Sequence, residues 1–303
     1  MTKILITGGS GLVGKTISEL LLKQGHEPRW LSREAGTWKE IRKYKWNLNE
    51  KYVDESAFEG VEAVIHLAGA GIIEKRWTDS YKKEIIDSRV KSTQLLFDVI
   101  SKNKFPIKTV VGSSAVGFYG SVPSEHSFSE VDSAGNDFLA ETCVDWEKSY
   151  QPFVDYGIRT VIVRTGIVLS NKGGAYAKMK PIFNLGLGAA AASGKQYFPW
   201  IHINDLTNIY SQSVLKPKYH GVYNAAASQA PTNKEFSKQL AKSLHKPFFL
   251  PNIPEFILNS VLGERAITLT SGLKISNEKI KNTGFVFGFD DLAVALKDLS
   301  SHD

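Results

Sequence analysis

The chain has 303 residues, 42% apolar and 22% charged, with 25 Gly, 11 Pro and one Cys; these ordinary globular proportions exclude disorder, collagen-like repeats and a disulfide scaffold. At about 150 residues per domain, the length predicts two domains, or one α/β domain with a smaller appendage. The formal charge of +6 comes from basic residues that form no long block: the densest runs, Arg29 to Lys45 and Lys172 to Lys180, are broken by Glu, Trp, Gly and Tyr, which predicts a local anion pocket and no nucleic-acid partner.

Strand-like KILIT at 3–7 leads directly into GGSGLVG at 8–14, and a helix follows with Ile17, Leu20, Leu21 and Leu22 on one face and Gly25 as its stop. EPRWLSR at 27–33 predicts a second strand, Tyr44 to Leu48 a weak third, Asp54 to Phe58 a helical turn, and VEAVIHLAG at 61–69 a buried fourth strand. A helix is expected over 78–101 from the spacing of Ile85, Val90, Leu95, Leu96 and Val99. IKTVVGSS at 107–114 reads as strand, 137–155 as helix and IRTVIVRTGIVL at 158–169 as strand. Strands alternating with helices, several being continuous apolar runs, predict an α/β fold built on a doubly wound parallel sheet.

After Leu169 a Gly-, Ala- and Lys-rich stretch leaves the sheet; WIHINDL at 200–206 opens another helix, GVYNAAA at 221–227 is a further strand, and from Thr232 the chain is mostly helical. The expected division is a nucleotide-binding unit of 1–169 plus 200–226 and a smaller, mostly helical unit of 170–199 plus 227–303 on the substrate side. No apolar run reaches the ~18 residues that cross a bilayer, so a cytoplasmic protein without membrane contact is expected. Cys143 stands alone and the seven histidines lack HxxxH or HExxH spacing, so no metal is expected.

The feature with the most chemistry is Gly8, Gly11 and Gly14, spaced GxxGxxG between a strand and a helix. Glycine lets the backbone turn tightly and approach a pyrophosphate, whose charge meets free N–H groups at the helix N-terminus. An NAD site would place Asp or Glu at the end of the second strand, about 20 residues on, to hold the ribose 2′-OH. Here Ser32-Arg33 stands there, with Arg29 nearby, and a guanidinium matches a 2′-phosphate by paired charge-assisted hydrogen bonds. The expected cofactor is therefore NADP(H), although Arg33 as a plain surface charge is the competing reading.

At this point the chain resembles the extended short-chain dehydrogenase/reductase superfamily, and within it the nucleoside-diphosphate-sugar epimerase-like family with a C-terminal domain of unknown function. The motifs are TGGSGLVG, LSR at 31–33, HLAGAGI at 66–72, KKEIIDSR at 82–89, SSAVGFYG at 113–120, RTGIVLS at 164–170, FPWIHINDL at 198–206 and GFVFGFDDLAVAL at 284–296. The resemblance implies a cofactor lying over Gly8, Ser10, Gly11, Leu12 and Val13, with Ser32 and Arg33 at the 2′-phosphate and Asn47 at the adenine. It further implies Leu67, Ala68 and Gly69 near the ribose, Glu84 and Arg89 on the cofactor side, and Ser113, Arg164 and Ile167 completing the set.

In the superfamily a Tyr moves the proton, tuned by a Lys four residues on, with a Ser or Thr holding the substrate oxygen. The segment that should hold Tyr-xxx-Lys is DFLAETC at 137–143, and the Ser/Thr position falls on Ala115, so both parts are missing. Tyr176 and Lys180 match the spacing formally, but in the excursion after the sixth strand, and read as a chance match. The remaining catalytic candidates are Tyr119, Ser114 and His202, and Arg76, Trp77, Lys180 and Trp200 are candidates for a substrate pocket. Two functions stay open: hydride exchange on a carbonyl or sugar-nucleotide-like small molecule, and non-catalytic NADP(H) binding that reports redox state. A third, polyanion binding, rests on charge alone.

Overall fold

The computed structural model describes residues 1–121 and 124–301, so His302 lies outside the described residues. In chain order the strands are β1 (Lys3–Thr7), β2 (Glu27–Ser32), β3 (Gly36–Trp38), β4 (Ile41–Asn47), β5 (Tyr52–Val53), β6 (Val61–His66), β7 (Thr109–Ala115), β8 (Ser127–Phe128), β9 (Arg159–Thr165), β10 (Ile167–Ser170), β11 (Trp200–His202), β12 (Gly221–Ala225) and β13 (Lys274–Ile275). The helices are α1 (Leu12–Lys23), α2 (Asp79–Asn103), α3 (Phe138–Lys148), α4 (Gln151–Asp155), α5 (Gly174–Asn184), α6 (Ile203–Leu215), α7 (Asn233–Ser243), α8 (Glu255–Leu262), α9 (Ile267–Thr270), α10 (Glu278–Asn282) and α11 (Leu292–Ser301).

The main sheet runs β12-β9-β7-β6-β1-β2-β4-β3, with β5 paired to β4 off that line. From β12 to β4 every pairing is parallel, and the short β3 and β5 run antiparallel to β4. Chain order reverses between β1 and β6, which opens a crevice beyond their carboxyl ends, where ligands bind in sheets of this kind. The doubly wound α/β expectation is met.

Alternation along β1 explains why both faces are covered. Ile4 and Ile6 pack with Ile17 and Leu21 of α1 and Leu206 and Ile209 of α6. Leu5 points the other way, toward Leu95 and Leu96 of α2, Trp146 of α3 and Phe153 of α4. A third core joins Leu169, Tyr176, Phe183, Trp200, Phe236 and Leu296, drawn from the excursion and the C-terminal helices.

Several expected boundaries move for identifiable reasons. The helix expected after the glycines starts at Leu12, inside the glycine run, and Leu20 and Leu22 are only half-buried because the inner face is Gly14, Ile17, Ser18 and Leu21. On α2 the buried face takes Arg89, Ser92 and Thr93, while Val90 and Val99 are half-buried. The strand expected over 158–169 divides at Gly166, where a Cβ would stand 2.7 Å from the Pro199 carbonyl oxygen. Beyond that point β10 leaves the main sheet and pairs with β11, Ile167 opposite Trp200. The helix expected over 137–155 breaks after Lys148, and α4 restarts at Gln151 with Pro152 in its first turn. The weak third strand is the return arm of the β3–β4 hairpin at the sheet edge.

Candidate functional site

The crevice begins where the glycine turn meets the end of β6. Gly8 has φ +67°, and a Cβ there would lie 2.9 Å from the Leu67 carbonyl carbon and oxygen, so the two loops touch backbone to backbone. A Cβ on Gly14 would fall 2.4 Å from the Gly8 carbonyl oxygen; only glycine lets α1 start this close to the turn. Gly11 caps α1 in an extended conformation, with no side-chain cap and no acidic residue in the first turn. The positive end of the helix is therefore left for an external anion.

Thr7 and His66 oppose one another in the β1–β6 register. The Thr7 hydroxyl oxygen accepts from the N–H groups of Leu67 and Ala68, each at 3.1 Å, so its proton goes to His66 Nδ1 at 2.7 Å. His66 then donates from Nε2 to Ser92 at 3.1 Å, and Ser92 donates to the Arg89 carbonyl at 2.9 Å. This chain fixes the loop under the crevice to α2. The site residues inferred from sequence omit Thr7, His66 and Ser92, although a polar pair at the ends of two apolar strands is a readable signal.

At the end of β2, Ser32 donates to the Glu34 carbonyl, and Arg33 is exposed with no partner among the described residues. Arg29, expected to help it, is instead buried, paired with Glu27 at 2.7 Å and donating to the Glu59 carbonyl at 3.0 Å. The Asn47 side-chain Oδ1 accepts from the backbone N–H groups of Asn49 and Glu50, while its Nδ2 makes no hydrogen bond among the described residues. Across the crevice, Arg89 lies against Gly69, donates to the carbonyls of Ile85 at 2.8 Å and Ala70 at 3.1 Å, and stacks over Trp146 at 4.9 Å. Burial draws its pKa down. Glu84 is exposed and pairs with Lys75 at 3.3 Å.

Around α3 and the end of β7, the polar side chains are closed in on themselves. Asp137 caps α3, accepting from Leu139 and Ala140 at 3.0 Å each, and Phe138 meets Trp77 edge to face at 5.0 Å. Burial pushes the Cys143 thiol up to about 11, so it carries no thiolate at neutral pH. Ser114 donates to Glu147 at 2.6 Å; Arg164 grips the same carboxylate through two bonds of 2.8 Å and donates to the Tyr119 oxygen at 2.9 Å. Tyr119 in turn donates to Asn224 at 2.8 Å, and burial raises its pKa despite the neighbouring guanidinium. His202 caps α6, accepting from Asn204 at 3.2 Å, stacks on Phe289 at 3.9 Å and stands 3.3 Å from Asp298. Ser113 is bonded to Tyr210 at 2.7 Å.

The expected pocket residues divide. Arg76 is exposed, its guanidinium without a partner among the described residues, and Trp77 donates to the Ile72 carbonyl at 2.7 Å in a cluster with Phe138 and Ile267. Trp200 does not line a pocket: it is 0% exposed, covered by residues of α5 and α7. Tyr176 is likewise fully buried, with Lys180 Nζ 6.0 Å from its ring, so the formal Tyr-xxx-Lys match packs a core. Ile167 opens β10 just past the Gly166 break, half-buried.

Comparison with known proteins follows the same outline. Residues 4–226 match the model of the NAD dependent epimerase/dehydratase family, and residues 253–299 match a domain of unknown function, DUF1731. The Mus musculus epimerase family protein SDR39U1 is 34% identical, covering 98% of this chain and 99% of that one. A crystal structure of human epimerase family protein SDR39U1 (isoform 2) with NADPH superposes with a TM-score of 0.89 at 31% identity over 100% of both chains. A Corynebacterium glutamicum nucleoside-diphosphate sugar epimerase gives 0.81 at 28% identity, over 100% of this chain and 59% of that one.

Proposed function

Because the chain belongs to the NAD dependent epimerase/dehydratase family, we propose that it binds NADP(H) and acts by hydride exchange on a carbonyl compound or sugar-nucleotide-like small molecule. One observation carries the cofactor reading: the uncapped, acid-free N-terminus of α1 and the unpartnered Arg33 are two anion-binding features that follow the carboxyl ends of the adjacent parallel strands β1 and β2. A pyrophosphate and a 2′-phosphate are the two anions such a pair requires, and the NADPH of the human structure supports the same cofactor.

In this reading Gly8, Ser10, Gly11, Leu12 and Val13 hold the pyrophosphate, chiefly by backbone N–H groups. Ser32 and Arg33 hold the 2′-phosphate and Asn47 the adenine. Leu67, Ala68, Gly69, Glu84, Arg89 and Ile167 border the inner ribose and nicotinamide. Ser113 and Arg164 contribute backbone and shape only, since their polar groups are already bonded inside the protein. When bound, the nicotinamide ring supplies or takes up a hydride. The chain's own part is to hold the cofactor and exclude water between the two units, 1–169 plus 200–226 and 170–199 plus 227–303, with Arg76 and Trp77 at the substrate's edge.

A second reading, a non-catalytic NADP(H) binder reporting redox state, draws on a specific observation: Ser114, Tyr119 and His202 are all engaged in internal contacts. A panel of aldehydes, ketones and sugar nucleotides incubated with NADPH or NADP+ separates the two. Turnover of cofactor, or epimerised product, with any member supports hydride exchange. Tight NADPH binding with no turnover on the whole panel supports the second reading and removes the first.

A further inference from the structure

We propose that the small unit carries a docking face for an anionic phospholipid surface, built from exposed apolar side chains set among lysines. Helix α8 buries Leu258 alone, while Phe256 is 72% and Val261 63% exposed. Leu258 and the half-buried Leu262 face a small core with Ala191 and Ala266, so the helix is apolar on its outer face as well as its inner one. Phe249 is 73% and Leu185 74% exposed, so the bare apolar surface extends well beyond one helix. Single exposed apolar residues are ordinary in a monomer, whereas a large contiguous patch marks an interaction surface.

The segments that carry these side chains are neighbours. The segment after α5 runs beside the segment that leads into α8: a Cβ on Gly186 would lie 3.7 Å from the Pro247 ring, and Ile253 bonds to the carbonyl of Ala190 and the N–H of Ala192. Leu185 thus neighbours the stretch that carries Phe249, and Ile253 hands the chain to Phe256. Lysines adjoin the same strip. Gly194, next to Lys195, accepts from the Lys234 N–H at 2.9 Å, and its missing Cβ would lie 3.0 Å from Asn252. Lys234, Lys238 and Lys242 recur every fourth residue on α7, so they form one ridge, with Lys246 just beyond its end.

Charge chooses the occupant. Residues 173–199 hold Lys178, Lys180 and Lys195 and no acid, and 227–262 hold Lys234, Lys238, Lys242 and Lys246 against Glu235 and Glu255. A second copy docked symmetrically would set this face against itself, lysines against lysines. A bilayer surface of anionic phospholipid offers the opposite charge and an apolar layer that accepts phenylalanine. Among the described residues no helix is long and apolar enough to cross a membrane. The sequence expectation of no membrane contact rested on the lack of a spanning run, and resting on one leaflet requires none.

The test is co-sedimentation of the full chain with vesicles of phosphatidylcholine alone or mixed with phosphatidylserine. Binding is expected to the mixed vesicles only, and to weaken as salt rises. The Phe249→Ser, Phe256→Ser double variant should bind at least about tenfold less, and Lys242→Glu, Lys246→Glu should lose the phosphatidylserine preference. Both pairs are exposed, so unchanged thermal unfolding and NADPH affinity show that folding and the cofactor site are intact. Failure to prefer the anionic vesicles, equal binding by both double variants, or a lipid-free dimer that the phenylalanine variant dissolves would each overturn the proposal.

Discussion

Replacing Glu147 by alanine is expected to destabilise the protein by about 3–5 kcal/mol, the cost of leaving a buried charge without its partner. The side chain of Arg164 is 4% exposed and that of Glu147 12%, so water replaces little of what is lost. Burial alone would lower the Arg164 pKa; the bonds from Glu147 overcome this and raise it. Removing the carboxylate also strands the Ser114 hydroxyl and loosens the hold of Arg164 on Tyr119. The pair is costly to break and of modest net value, so the Glu147→Leu, Arg164→Met double variant should recover much of the loss. Urea unfolding of the two single variants and the double variant checks this. Additive losses would show that Glu147 and Arg164 are not coupled.

The second large effect is on the acid side of the stability profile. His66 is fully enclosed, and burial holds its pKa down at about 3, against 6.5 for the free side chain. The native state keeps the ring neutral, as the Thr7 to Ser92 chain requires, while the unfolded state takes up a proton below the free value. The contribution is therefore fully present above pH 6.5 and is lost as pH falls through 6.5 toward 3. At 1.36 kcal/mol per unit, the loss attributable to His66 is about 2 kcal/mol by pH 5. His66→Asn should be less stable at pH 7 and lack this part of the acid slope. Identical slopes for wild type and variant between pH 7 and 5 would refute the assignment.

Much of the site's scaffold can be read along the chain because it is local. Gly8, Gly11 and Gly14 act within one turn, and Arg33 is recognised by its place at a strand end. The fate of Arg29 was also local: Glu27 lies two residues away on the same strand face, and the pair closes on itself. Other residues depend on partners that no local pattern supplies. Trp200 looks like a strand-end residue, but helices α5 and α7, from either side of it in the chain, bury it completely. Gly166 divides a strand because Pro199 approaches from a distant segment. Arg164 and His66 interrupt apolar strands and so announce a buried polar arrangement; their partners Glu147 and Ser92 become identifiable only once α3 and α2 are docked on the sheet. That 137–143 holds neither Tyr nor Lys, and that position 115 is Ala, is plain in sequence. That the neighbouring polar groups bind each other is a property of the folded chain alone.

If Arg33 holds a 2′-phosphate as proposed, the crevice selects NADPH over NADH through that one side chain. Calorimetric titration of the wild type and Arg33→Ala with NADPH and with NADH tests it most directly. The wild type should prefer NADPH, and the variant should lose about tenfold to a hundredfold in NADPH affinity, the worth of a charged hydrogen-bonded contact, while NADH binding stays nearly unchanged. Equal affinity of the wild type for the two cofactors, or an equal loss of both on removing Arg33, would contradict it.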